Sequence, residues 1–309
     1  MPLTFQLTVF SDPQGEAAAR VYLIAVPDRD ATADELAGYR LTGQIIGPSC
    51  RYSSTLQTKI PFQHRGLTPS GDRTALLAEA LVPDPCYWST ELPFLYRAVG
   101  QITGTDSGPT PFEQTFGIRS VGVLRNKLTF NGKVWVPRII YNKGVAGATI
   151  TQWRATETMM FIEDIDDSLG GELSEAGVLA MTMLKKRDEN IEESLIRLSR
   201  YPAVALIWIE GVASIEPTWQ TAARNVLLGR FNATSPIDSH RDATGFCCFA
   251  MPESSEPTGL AAAEATGLPL LAIRGISDVR TLNDARRLCD RTQRDLAELR
   301  HDVAGYIIS

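Results

Sequence analysis

The sequence is poor in the residues that build metal and disulfide frameworks. Its 309 residues hold five cysteines, Cys50, Cys86, Cys247, Cys248 and Cys289, an odd and scattered set with no C-x-x-C pair. That pattern excludes a zinc ribbon or a disulfide scaffold as the expectation. Cys247 and Cys248 fall in an apolar run and read as small buried side chains. His64, His240 and His301 are the only histidines, and none stands at H-x-x-x-H or H-E-x-x-H spacing, so no catalytic zinc site is expected. No apolar run approaches the ~18 residues of a membrane span. The opening MPLTFQLTVF alternates apolar and polar residues where a secretory leader would carry a basic stretch and a continuous apolar core. Positive charge is in deficit, 30 Lys and Arg against 36 Asp and Glu, for a net charge of −6. A basic nucleic-acid surface is therefore not the default reading. These absences predict a cytoplasmic protein with no cofactor, no metal, no nucleic-acid partner and no membrane association. The oligomeric state is left open.

What is present is a globular composition, 44% hydrophobic, in a chain long enough for roughly two domains. The first part reads as β-structure. Apolar and polar residues alternate over Leu3–Phe10, Ala19–Val26, Tyr39–Ile46, Leu56–Phe62, Thr74–Leu81, Pro93–Ile102 and Phe112–Val121. Breakers separate them: Asp12 to Gly15, Gly47-Pro48, Gly66 to Gly71 and Gly104 to Pro111. Seven short strands with turn signals predict an antiparallel sandwich of immunoglobulin-like size. Ala33 to Tyr39 is left as a one-turn helix or a polar connection.

From Lys133 the pattern changes. Continuous apolar runs, the signature of strands buried on both faces, occur at Val134–Ile140, Met159–Ile162, Val178–Leu184, Ala203–Ile209, Val226–Phe231, Phe246–Met251, Leu268–Ile273 and Val303–Ile308. Helical periodicity lies between them. Arg187 to Arg200 lines up Ile191, Leu195 and Leu198, and Asn283 to Arg300 lines up Ala285, Leu288, Leu296 and Leu299. Eight such strands with interleaved helices predict a (β/α)8 TIM barrel, with a doubly wound open sheet as the alternative. Roughly 190 residues are fewer than the ~250 usual for a barrel, so the barrel must be reduced and several helices short. The expected domains are 1–121, the sandwich, and 122–309, the barrel.

Three motifs between these halves resemble glycoside hydrolase family 2, the family of β-galactosidases, β-glucuronidases and β-mannosidases. Trp88-Ser89-Thr90-Glu91-Leu92-Pro93-Phe94-Leu95-Tyr96 resembles the family's W-S-P-E-x-P-x-L-Y segment. Phe116-Gly117-Ile118-Arg119 is similar to the F-G-x-R strand that ends its immunoglobulin-like domain. Leu128-Thr129-Phe130-Asn131-Gly132-Lys133 resembles the hairpin leading into its catalytic barrel. The residues suit such roles: Trp88 and Tyr96 are large core anchors, and Asn131-Gly132 is a strong hairpin turn. No counterpart of the family's sugar-binding jelly roll is expected within these 309 residues.

The resemblance continues into the barrel as architecture and fails as chemistry. Arg200 to Trp208 is similar to the approach to the family's fourth strand, which ends in the general acid/base Glu. Alignment on Trp208 and Gly211 puts Val212 and Ala213 where the family has Asn-Glu. On the seventh strand, Leu268 to Gly275 puts Arg274 at the nucleophile position. Arg138 to Lys143 keeps only the leading Arg of the first-strand motif, and Met160 to Asp164 keeps none of the second-strand residues. A retaining glycosidase needs two carboxyl groups roughly 5–5.5 Å apart, one to attack and one to protonate. Ala213 can do neither, and Arg274 is a permanent cation. No catalytic residue is expected at these degenerate positions.

The mouth of a barrel is built from the carboxyl ends of its strands. Tyr141, Glu163, Trp208, Arg230 and Arg274 are the expected ligand-binding residues there. Glu210 and Glu253 are the candidates for a relocated acid/base pair. Arg274 is expected to project into the vacated site and to pair with Glu163, Glu210 or Glu253, since a buried guanidinium alone is costly. Other signals read blandly. The acidic run Glu163-Asp164-x-Asp166-Asp167 lacks a calcium loop's Gly and distal Glu and suits a solvated loop or helix start. Gly144 to Thr149 could cradle a phosphate but lacks the P-loop lysine and the dinucleotide fingerprint. Asn232-Ala233-Thr234 is a formal sequon. Two functions from different classes follow: a catalytically inactive family-2-like protein that binds carbohydrate or serves as a scaffold, or an active hydrolase with relocated carboxylates.

Overall fold

The computed structural model describes residues 3–13, 17–70, 73–104, 108–145, 147–185, 190–212, 214–231, 245–250, 267–275, 279, 281–298 and 301–309. Contacts divide the chain into two compact units, Met1–Arg119 with Arg200–Pro202, and Ser120–Ser199 with Ala203–Ser309.

The first unit is a sandwich of two antiparallel four-stranded sheets. One runs β1 (Phe5–Pro13), β2 (Ala18–Pro27), β6 (Arg73–Pro83), β5 (Gln63–Ser70). The other runs β4 (Thr58–Pro61), β3 (Arg40–Ser49), β7 (Leu95–Thr103), β8 (Thr110–Phe116). This is the A-B-E-D and C-F-G order of an immunoglobulin-like sandwich with one added edge strand. Alternation sets the core: Val21, Leu23, Leu76 and Ala78 from one sheet meet Leu41, Ile45, Ala98 and Ile102 from the other. Helix α1 (Ala33–Ala37) starts where the Thr32 side chain accepts the Glu35 N–H, and it buries Leu36.

The motif residues are anchors. Trp88 is fully buried, and its backbone N–H donates to the Ile118 carbonyl at 2.8 Å. Tyr96, also buried, accepts the Cys86 N–H on its hydroxyl at 2.8 Å and stacks on Phe116 at 5.8 Å. That corner is the device immunoglobulin-like domains use at the start of the equivalent strand. One strand was not legible. Eight strands form the sandwich, and β5 covers the segment read as a breaker. Gly66 and Pro69 suggest a loop, but β5 is an edge strand with a register shift between His64 and Gly66, where both residues are tolerated.

In the second unit β9 (Val121–Leu124), β10 (Lys127–Phe130) and β11 (Lys133–Trp135) form a small antiparallel sheet. Asn131 and Gly132 turn β10 into β11 with φ of 49° and 76°, the two positive values a type I′ turn requires. Eight parallel strands follow: β12 (Arg138–Tyr141), β13 (Met159–Ile162), β14 (Ala180–Lys185), β15 (Val204–Glu210), β16 (Leu227–Phe231), β17 (Phe246–Ala250), β18 (Leu270–Arg274) and β19 (Gly305–Ile308). Each pairs with the next, and β19 pairs back onto β12 with Ile307 opposite Ile139. The barrel is closed, which overturns the open-sheet alternative. The predicted run 134–140 is split, because β11 ends at Trp135 and β12 begins only after Pro137.

The helices are short, as the chain length demanded: α2 (Ile150–Ala155), α3 (Asp167–Ala176), α4 (Ile191–Leu198) and α5 (Pro217–Ala222). The exception among the described residues is α6 (Leu282–Glu298), 17 residues that pack on β12 and β19. No helix among the described residues is long and apolar enough to cross a membrane.

Candidate functional site

Strand register decides which side chains enter the barrel. Residues side by side in a parallel ladder share a face, and successive residues alternate. The inner set begins with Ile139, Met159 and Met181 and continues with Leu206, Leu271 and Ile307, all essentially buried. Gly229 belongs to it as well, and its missing side chain makes room for Phe246, whose ring would lie 2.3 Å from an added Cβ. The interior is thus a packed core and not a pore.

One layer higher, aromatic rings line the side formed by the first four strands. Tyr141 at the end of β12 sits 5.1 Å from Phe161 on β13, and Phe161 stacks at 5.9 Å and 28° on Trp208 of β15. Polar groups close over this layer. The Tyr141 hydroxyl donates to one oxygen of Glu163, the residue after β13. Lys143, in the 3-10 turn Asn142–Val145, donates from Nζ to the other oxygen at 2.8 Å, and its ammonium lies 5.6 Å from the centre of the Tyr141 ring. The Lys143 hydrogen bond, then that of Tyr141, holds the Glu163 carboxyl below its ordinary pKa. Burial, then the Glu163 carboxylate, pushes the Tyr141 phenol up, and Glu163 raises the Lys143 ammonium. Glu163 is therefore a committed anion at neutral pH, suited to accepting hydrogen bonds and unsuited to protonating a leaving group.

The structure brings Tyr141, Glu163 and Trp208 together. Glu210 ends β15 two residues after Trp208, on the inner register and exposed, beside Lys185 of β14. Arg230 and Arg274 do not join them. Arg230 lies opposite Ile209, on the outer register. Arg274 corrects the sequence reading more sharply. Its guanidinium donates outward to Thr292 at 3.2 Å and Asp295 at 3.3 Å, both on α6, and not to Glu163 or Glu210. The last inward residue of β18 is Ile273, level with Ile307 inside the barrel. Arg274 does have a carboxylate partner, but it is Asp295 on the other side of the wall and neither Glu163 nor Glu210. Arg138 behaves alike, donating to Asp290 at 2.7 Å and Gln293 at 3.2 Å on α6. Ala213 and Glu253 lie outside the described residues.

Sequence reasoning missed Phe161 as the ring joining Tyr141 to Trp208. The available signal was an aromatic residue inside the apolar run Met159–Ile162; that it lies level with Tyr141 is set by the register of β12 on β13. The acidic run is used locally. Asp166 caps α3 by accepting the Leu169 N–H at 2.8 Å, and Asp167 pairs with Arg197 at 3.3 Å. Among the described residues no group of His, Cys, Asp and Glu could hold a metal ion.

No protein-family model matches the chain, and no curated protein does. Solved structures do. A glycosyl hydrolase family 2 member from Bacteroides cellulosilyticus is 14% identical at a TM-score of 0.66, covering 99% of this chain and 44% of that one. A Bacteroides uniformis β-glucuronidase, bound covalently to cyclophellitol-6-carboxylate aziridine, is 14% identical at 0.58, covering 98% and 45%. A Parabacteroides merdae β-glucuronidase is 12% identical at 0.60, covering 99% and 47%. The fold is similar to that of these glycoside hydrolase family 2 structures. The family-2-like likeness spans the sandwich and the barrel, and the chain covers about half the length of these structures.

Proposed function

We propose that this chain is a non-hydrolysing protein of glycoside hydrolase family 2-like fold whose barrel mouth binds a carbohydrate without cleaving it. The observation that carries the reading is Glu163, fixed as an anion between Tyr141 and Lys143 above the Phe161–Trp208 rings. An ionised acceptor beside aromatic faces suits holding hydroxyls and ring C–H groups. Glycoside hydrolysis asks for something else, a protonated acid and a free nucleophile in facing positions. Sequence alignment supplies Ala213 and Arg274 at the two carboxylate positions, and Leu270 to Gly275 contain no carboxylate at all. On this reading residues 1–121 are a supporting sandwich and 122–309 a degenerate catalytic barrel. Cys50, Cys86 and Cys289 are not in disulfides, which fits a cytoplasmic setting.

The test is a panel of aryl glycosides for turnover, run beside calorimetric titration with the corresponding methyl glycosides. Binding without turnover, weakened at least tenfold by Glu163→Gln, is the expected outcome. Turnover at enzymatic rates would refute it. A second reading, a hydrolase with relocated carboxylates Glu210 and Glu253, is favoured by the inward register of Glu210 on the fourth strand. It requires turnover that Glu210→Gln abolishes.

A further inference from the structure

The acidic run after β13 does more than cap a helix. Glu163, Asp164, Asp166 and Asp167 place four carboxylates in five residues, in the stretch that joins β13 to α3. The last rung of β13 on β14 pairs Ile162 with Thr182, so Glu163 stands one residue beyond the ladder. Carbonyls beyond a ladder need other donors to be held. Side chains of two neighbouring elements supply them. Thr182, 1% exposed on β14, donates from Oγ1 to the Glu163 carbonyl at 3.3 Å. Arg197 on α4 donates from Nη1 to the Ile165 carbonyl at 2.7 Å and to Asp167 Oδ1 at 3.3 Å. Its Nη2 lies 4.0 Å from Asp164 Oδ1, and Ile165 itself is fully buried.

We propose that Arg197, together with Thr182, is a positioning residue that sets Glu163 in the barrel mouth. The proposal rests on the mouth being the binding site, as proposed above, and names what holds its anion in place. Glu163 meets Tyr141 and Lys143 at once, which fixes its backbone as well as its side chain. A binding group is held to such a geometry by the shell behind it. The ion pairs of Arg197 contribute little to that shell, because the Asp164 and Asp167 side chains are 91% and 68% exposed and water screens them. The short bond to the carbonyl of a buried residue is different. A planar guanidinium can take that carbonyl and the flanking carboxylates together. It also offsets the repulsion among four like charges, which would otherwise spread the loop. The hydrogen bonds of Lys143 and Tyr141, then the charges of Lys143 and Lys185, lower the Glu163 carboxyl. Arg197 reaches it through the backbone of Asp164 and Ile165.

The test follows two titrations by NMR in the full chain, the Glu163 carboxyl and the Tyr141 phenol, with circular dichroism to confirm the native fold. Arg197→Met keeps the stem and removes the donors. Thr182→Val keeps the shape and removes the hydroxyl. In each variant the Glu163 carboxyl should titrate higher and the Tyr141 phenol lower, by roughly 0.5–1 pH unit, as the bond between them loosens. A general loss of stability does not move the two in opposite directions. Asp167→Asn leaves the Ile165 bond in place and should move neither. Titrations unmoved in a natively folded Arg197→Met or Thr182→Val chain, or moved as far by Asp167→Asn, would overturn the inference. The two positioning variants should also weaken methyl glycoside binding by roughly threefold or more. A native chain that binds no glycoside defeats the binding reading instead, and the titrations still decide whether Arg197 and Thr182 set Glu163.

Discussion

Lys143 holds Glu163 from the turn after the first barrel strand, with 2.8 Å between Nζ and Oε2. Together with the Tyr141 hydroxyl it lowers the carboxyl pKa, and the sign of the linkage follows. A carboxyl depressed in the folded state adds stability above its unfolded pKa of about 4.3, and that stability is lost as pH falls through the folded value. The loss therefore lies in the acid range, below the ordinary carboxylate pKa. Urea midpoints measured from pH 7 down to pH 3 should fall less steeply for Glu163→Gln than for the native chain. In the same variant the Tyr141 phenol should titrate lower, because one of the groups that raises it is gone. Parallel midpoint curves and an unmoved phenol would show that the network does not form in solution.

Arg274→Leu is expected to be mild. The Arg274 and Asp295 side chains are 38% and 49% exposed, so the pair is screened by water. Exposed pairs are worth about 0.2–1 kcal/mol, well under the ~3 kcal/mol of a buried charge left without its partner. A double-mutant cycle of Arg274→Leu and Asp295→Asn should give a coupling of about 0.5 kcal/mol by chemical denaturation. A loss above ~3 kcal/mol from Arg274→Leu alone would place the guanidinium in a buried site.

The contrast between these residues shows where sequence reading succeeds. The barrel strands were legible because burial on both faces forces continuous apolar runs such as Ala203 to Ile209; the run 134–140, broken at Pro137, was the one misjoined. The sandwich anchors Trp88 and Tyr96 were legible because large rings at a motif have few places to go. Facing was not. Whether Arg274 or Ile273 enters the barrel depends on the register of β18 against β19, and a one-residue difference exchanges the two. Nor could the chain announce that Asp290 and Asp295, on α6, would bind Arg138 and Arg274 from outside the wall. Tyr141 and Glu163 were legible as strand-end residues, but their union needed the in-register pairing of β12 with β13.

The sandwich offers a test of its corner. Tyr96→Phe keeps the buried ring and its stacking on Phe116 but removes the oxygen that accepts the Cys86 N–H at 2.8 Å. A lost acceptor for a backbone donor costs about 1–2 kcal/mol. Denaturant unfolding should report that loss, with Tyr96→Leu costing more because the ring packing goes as well. Equal stability of Tyr96→Phe and the native chain would mean that the hydroxyl bond contributes nothing.

Inside the barrel, Gly229 and Phe246 form a complementary pair of a missing side chain and a large one. They are neighbours in register on β16 and β17, and an alanine Cβ at 229 would lie 2.3 Å from the Phe246 ring. The ring is 1% exposed and has little room to retreat, so Gly229→Ala should destabilise by about 1–3 kcal/mol through overpacking. Phe246→Leu alone should also cost stability, through the volume it removes. Joined, the two changes should cost less than the sum of the separate losses, because the smaller side chain relieves the contact that alanine creates. Denaturant midpoints of the four chains give the coupling directly. Simple additivity would mean that the two residues do not meet and that the register of β16 on β17 is different from the one described.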